Sequence, residues 1–340
     1  MMRYQRRLLT LALASAAALA TVHTAAGQTS DPIPLQVQPA DQVDPVSTAF
    51  QATGPLDARG NSIVATSLKP GAAGTNQGGQ PHGFFPSDLS HSPSGATVNR
   101  AQLHVIYINQ PPSHFGNVAQ FLSDLGQSDY MHIVDQYVGA HDPGRYTVGT
   151  SFQATVTLPP GAPLRLAGIL QIVHAAASIT GSGYGHIYQL MLPKGMDTCA
   201  PWGCYQPDRG AIDYCGYHEA VTYNDAVGHV IFTVQPYSAI HGCEQPPYGT
   251  ANNQVTDSEN ANLAHETLET ITDPDVNSWY VATLDILYGQ EAADLCHQSA
   301  LYPDGYYYGQ AKNIQLNGNW YTVPGMYSNR DHACVFTAPH

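Results

Sequence analysis

The chain has 340 residues, of which 12 are Lys or Arg and 26 are Asp or Glu, for a formal charge of −14. A surface this acidic repels nucleic-acid phosphate and anionic lipid, which excludes both as partners. Only 11% of the residues are charged while Gly (31) and Tyr (21) are abundant, so the surface is polar rather than charged, as suits an extracellular protein.

In chain order, Arg3, Arg6 and Arg7 come first, then the uncharged apolar run Leu8–Ala20, then the small residues Ala25, Ala26 and Gly27. This layout predicts a secretory signal peptide over residues 1–27, too short and wrongly flanked for a transmembrane helix. Its cleavage removes three arginines and no acid, taking the charge from −14 to −17. No later stretch is long and apolar enough to span a bilayer, so no membrane contact is expected after cleavage. Residues 28–98 include "KPGAAGTNQGGQPHG" and "SDLSHSPSGAT". Such Gly/Pro/Ser-rich sequence buries too little apolar surface to offset its ordering entropy, and predicts a flexible extension, or one draped on the domain.

Residues 99–340 read as one α+β domain with a mixed sheet. "AQLHVIYINQ" is a buried strand ended by Pro111 and Pro112. "HFGNVAQFLSDL" and "DYMHIVDQYV" carry apolar residues at helical spacing, and "YTVGTSFQATVTL" alternates like a strand. "LRLAGILQIVHAAASIT" is a largely buried helix, "HIYQLMLP" and "HVIFTVQPY" are strands, and Tyr/Gly-rich short strands follow Trp279. The six cysteines, Cys199, Cys204, Cys215, Cys243, Cys296 and Cys334, all fall in the last 142 residues. In an exported chain an even count predicts three disulfides. Fifteen pairings are open, and the one expected is Cys199–Cys204, Cys215–Cys243 and Cys296–Cys334.

The segment "NLAHETLETITDPDVNSWY", residues 262–280, carries the chemistry. Thr256 to Glu259 has the T-x-x-E pattern of a capping box. Ala261, Ala264, Leu268 and Ile271 form an apolar stripe, and Pro274 stops the helix, which is expected over about Asp257 to Thr272. His265 and Glu269 then stand one turn apart on one face and can grip one ion. Glu266 is rotated from them by about 100°. In H-E-x-x-H zinc enzymes the Glu at that place is the general base. Here a glutamate replaces the second histidine, and Zn²⁺ accepts carboxylate oxygen. The third ligand must come from elsewhere, with Glu291 the first candidate and Asp294 the second. Asp275, ten residues after His265 like the third metzincin ligand, is the third. Of the two downstream acids, the one that does not ligate the ion would orient His265.

"CGYHE" at 215–219, "LAHETLETITDPDVNSWY" at 263–280, "EAADLC" at 291–296 and the Tyr/Gly-rich ending occur in that order. This series resembles the phosphate-induced protein 1, or EXORDIUM-like, family over about residues 100–336. The resemblance implies an extracellular protein with a zincin-like helix and matches Glu291 and Asp294 as the downstream acids. It does not support Asp275 and does not by itself imply an activity. Plant members of the family are linked to growth and cell expansion. Cys334, the Cys199/Cys204 pair and the long extension depart from the plant pattern, so no disulfide carries over from it. His218 belongs to the matched series and is a candidate to line the site, with Trp279 and Tyr280 as candidate walls of a cleft.

The expectation is a secreted, zinc-dependent, peptidase-like hydrolase acting on a peptide or a cell-wall-associated substrate. Zn²⁺ would be held by His265, Glu269 and Glu291 or Asp294, with Glu266 as base. The alternative is a non-catalytic extracellular binding or signalling protein with a structural or vestigial metal site.

Overall fold

The computed structural model describes residues 33–36, 50–53, 88–245, 249–282, 290–297 and 312–338. The expected signal peptide and most of the expected extension lie outside these residues. The centre is an eight-stranded mixed sheet. Its strands are β1 (Ile33–Gln36), β2 (Phe50–Thr53), β3 (Ala101–Ile108), β4 (Tyr146–Val148), β5 (Phe152–Thr155), β6 (His186–Met191), β7 (Tyr217–Tyr223) and β8 (His229–Gln235). The order across the sheet is β1-β5-β3-β6-β8-β7-β2, with β4 also pairing β3. The pairs from β1 to β8 run parallel, whereas β8–β7 and β7–β2 run antiparallel.

Helices cover both faces of this sheet, which explains why its central strands read as unbroken apolar runs. On β3, Leu103, Val105 and Tyr107 enter one core while Ile106 and Ile108 enter the other. The first core is closed by α1 (Val118–Gly126), the short α2 (Asp135–Val138) and the C-terminal strands. The second is closed by α3 (Leu166–Thr180), through Ile169, Ile172, Val173 and Ala176. The expected strand over "YTVGTSFQATVTL" is two strands, both pairing β3 at different registers. The break falls at Gly149, where a Cβ would lie 2.4 Å from the His104 ring. The core also begins earlier than residue 99: Leu89 and Val98 are buried, and Ser90–His91 pairs with Trp279–Tyr280. β1 and β2 add two further pieces of the expected extension to the sheet edges.

Gly126 shows how tightly α1 seats on β4, since a Cβ there would stand 2.2 Å from the Tyr146 carbonyl oxygen. Backbone cannot yield as a side-chain tip can. Gly126→Ala is therefore expected to cost about 1–3 kcal/mol as an overpacking mutation. At about 2–4 °C per kcal/mol for a domain of this size, thermal unfolding should shift down by several degrees. An unchanged midpoint would mean that the α1–β4 contact is looser than drawn.

The helix α4 (Gln254–Thr272) lies between the sheet and the C-terminal strands and is buried from Thr256 to Thr272. Its N-cap lies three residues before the expected one. Asn253 is the N-cap, its side chain accepting the Thr256 N–H at 3.1 Å, so Thr256–Glu259 is not a capping box. Glu259 instead reaches across to accept the Ser238 N–H at 2.9 Å. Several of its buried polar side chains find partners across the core. Asn262 donates to the Cys215 carbonyl at 2.9 Å, and Thr267 accepts from Gln189 at 2.9 Å. Its end at Thr272, before Asp273–Pro274, is as expected.

Glu259 gives a pH test. Its Oε2 makes no hydrogen bond, and burial pushes the carboxyl up to about 8 from an ordinary 4.5. The folded state thus favours the neutral acid. That contribution is fully present below the ordinary value and is lost as pH rises towards about 8, at about 1.4 kcal/mol per pH unit. Glu259→Gln keeps the acceptor for Ser238 and removes the titration. Its stability relative to wild type should therefore rise between pH 5 and pH 8 in denaturant titrations; parallel pH profiles would contradict this.

All three disulfides have the expected pairing: Cys199–Cys204, Cys215–Cys243 and Cys296–Cys334. They fit an oxidising compartment. Among the described residues no helix is long and apolar enough to cross a membrane.

Candidate metal centre

Four segments build the site: α4, the strand β7, the residues just before α5 (Asp294–His297), and the Asp273 turn. One helical turn stacks His265 and Glu269, bringing His265 Nε2 to 2.9 Å from Glu269 Oε2. Glu269 uses its other oxygen to fix the downstream segment, with Oε1 accepting the N–H groups of Ala293 and Asp294, each at 2.9 Å. That clamp delivers Asp294, whose Oδ1 lies 3.4 Å from His265 Nε2.

His218 enters from β7. Strand alternation sends Tyr217 and Val221 into the α3 core and leaves His218 and Ala220 facing α4. Its Nε2 bonds the Asp273 carbonyl at 2.9 Å, and its Nδ1 is 3.5 Å from Glu266 Oε2. Glu291 approaches the same ring, with Oε2 3.6 Å from Nε2. Gly216 makes room for this packing, because a Cβ there would lie 2.7 Å from Glu266 Oε1. His218, His265, Glu266, Glu269, Glu291 and Asp294 are all 0–1% exposed.

Two triads of ligand atoms converge, each within 4.8 Å of one another: His265, Glu269 and Asp294, and His218, Glu266 and Glu269. Ligands of a tetrahedral Zn²⁺ at about 2.0–2.2 Å stand roughly 3.4 Å apart. The 3.4 Å between His265 and Asp294 matches that spacing, while the 2.9 Å between His265 and Glu269 is the distance of a direct ion pair, which would open slightly around an ion. Apart from the two histidines, the remaining carboxylate lone pairs meet no donor. Neither oxygen of Glu266 or Glu291 makes a hydrogen bond, nor do Glu269 Oε2 and Asp294 Oδ1. A buried carboxylate oxygen without a donor is costly unless a cation or proton meets it.

The electrostatics point the same way. Burial pushes the Glu291 carboxyl well above the usual range, reinforced by Asp273 and Glu269. Burial together with Glu269 lifts Asp294 to about 7. Burial alone would lower His265, but Glu269 and Asp294 outweigh it and hold the imidazole well above its ordinary value. Burial also works to raise Glu269, yet His265 beside it holds that carboxyl low. The cluster attracts positive charge, whether protons or a metal ion.

The sequence candidates divide accordingly. His265, Glu266, Glu269, Glu291, Asp294 and His218 come together. The preference for Glu291 over Asp294 beside His265 is reversed, because the Glu269 clamp holds the turn at Ala293–Asp294 and leaves Glu291 facing His218. Asp275 belongs to neither triad: it accepts the Tyr184 hydroxyl at 2.5 Å, and its other oxygen is 3.0 Å from His229 Nε2. Trp279 packs against His91 and Tyr137 and donates its indole N–H to the Tyr137 carbonyl at 2.9 Å. Tyr280 pairs with Ser90 in the same short ribbon. His218 is a full member of the cluster through its place on β7, which "CGYHE" alone does not reveal.

Fold and site together define a mixed helix-and-strand protein with a buried histidine–carboxylate cluster that could hold a metal ion. Comparison with protein-family models, curated proteins and solved structures finds no match to this chain.

Proposed function

We propose that this protein is a secreted, zinc-dependent hydrolase of peptidase-like type, with a zincin-like helix and a relationship to the EXORDIUM-like family. The observation that supports it most is the convergence of His265 Nε2, Glu269 Oε2 and Asp294 Oδ1 beside a Glu266 carboxylate with no hydrogen bond. Those three groups would hold a divalent ion, which would supply a Lewis acid able to polarise a scissile carbonyl. Glu266 accepts the proton of the attacking water and returns it to the leaving amine. The substrate class is a peptide or a cell-wall-associated polymer. The test is peptide hydrolysis by protein loaded with one equivalent of zinc, wild type against Glu266→Gln.

One observation favours a second reading. Every member of the cluster is 0–1% exposed, so substrate reaches Glu266 only if the covering chain moves. Under that reading the ion is structural and the protein is a non-catalytic extracellular binding or signalling protein. Zinc that stabilises the fold without any turnover is its signature.

A further inference from the structure

We propose that the cluster holds a second divalent cation, bound by His218 Nδ1, Glu266 and Glu269, so that Glu269 bridges two ions. The inference rests on the proposed first site and adds a regulatory consequence to it.

Three observations carry it. First, His218 is set up as a ligand. Its Nε2 donates to the Asp273 carbonyl at 2.9 Å, so in the neutral ring the Nδ1 lone pair faces Glu266 in the cluster. A ring nitrogen anchored on a backbone carbonyl is the usual way a protein orients the opposite nitrogen toward a metal. Second, both Glu266 oxygens are fully buried and make no hydrogen bond, and one lies 3.5 Å from that Nδ1, an ion-pair distance that is also the separation of neighbouring ligands on one ion. Third, the charge favours it. Glu266, Glu269, Glu291 and Asp294 are all buried carboxylates. A single divalent ion offsets two of their negative charges, and the rest must be met by protons or by a second cation. Ions sharing one carboxylate stand about 3.5–4 Å apart, as in two-metal hydrolytic sites.

The second site has a functional cost. An ion there occupies the lone pair with which Glu266 accepts a proton. The singly loaded protein is therefore the hydrolase, and the doubly loaded protein is inhibited by its own metal.

The test is zinc titration of chelator-stripped full-length protein, read by native mass spectrometry and by hydrolysis on the same samples. Wild type should bind two equivalents, the second more weakly, and turnover should fall at least tenfold as the second binds. His218→Ala should bind one equivalent and lose the inhibition. Cobalt provides a readout that needs no variant: the EPR signal per ion should drop when the second equivalent enters, through coupling across Glu269. A wild type that saturates at one equivalent, with an uncoupled cobalt signal, overturns the second site and leaves the proposed hydrolase intact. Two coupled ions with no turnover at any loading support the second site and overturn the hydrolase reading. A wild type that binds no ion overturns both.

Discussion

Replacing Glu266 by glutamine is expected to lower peptide hydrolysis by about 10²- to 10⁴-fold, the range lost when a positioned general base is removed. Glutamine preserves the volume beneath Gly216, where there is no room for even one added carbon. What it removes is the ability to accept a proton. Because Glu266 is absent from the triad of His265, Glu269 and Asp294, the first zinc should bind Glu266→Gln as it binds wild type. The comparison belongs at one equivalent of zinc, where the second site is empty. Equal turnover by the two proteins would remove Glu266 as the base. Equal absence of turnover, with zinc retained, would leave the structural-metal reading.

His265→Ala should abolish the first site. Loss of an outer partner of a metal ligand already costs about 10- to 100-fold in affinity, so loss of the ligand should cost at least about 100-fold. Stability offers a second readout. Zinc at 100 times its dissociation constant stabilises wild type by about 2.7 kcal/mol, and the variant should lose that zinc-dependent increment. The metal-free variant carries its own penalty. His265 is the positive partner of Glu269, and breaking a buried pair from one side costs about 3–5 kcal/mol. The informative quantity is therefore the shift on adding zinc to each protein, measured calorimetrically. The same zinc shift in both proteins would place the ion elsewhere.

The parts of this site that were legible in the sequence are those fixed by local geometry. A helix interrupted only at Pro274 puts His265 and Glu269 one turn apart whatever surrounds it, and both are where that spacing requires. What stayed hidden depends on tertiary contact. The placement of Asp294 rather than Glu291 beside His265 follows from two backbone N–H groups meeting Glu269 Oε1 across 24 and 25 residues. His218 lies 47 residues before His265 and arrives through pairing of β7 with β8. That strand gave no alternation to read, because "YHEAVTY" buries a histidine and a glutamate on opposite faces along with its apolar residues. The helix starts earlier than the T-x-x-E pattern implies because Asn253 offers its side chain three residues before Thr256, and the acid at 259 serves Ser238 rather than the helix end. The disulfide pairing came out as expected, though nothing in the sequence forced it. Trp279 and Tyr280 looked like cleft walls but lie in a ribbon that ties Ser90–His91 to the domain.

The central claim is that one zinc ion sits on His265, Glu269 and Asp294. X-ray absorption at the zinc edge, on protein carrying one equivalent, tests it most directly. The expected spectrum has a first shell of nitrogen and oxygen alone at about 2.0–2.2 Å, with a single imidazole contribution and no sulfur near 2.3 Å. That imidazole signature should vanish in His265→Ala. A spectrum with sulfur in the first shell, one unchanged in His265→Ala, or a protein that retains no zinc at all would contradict the account.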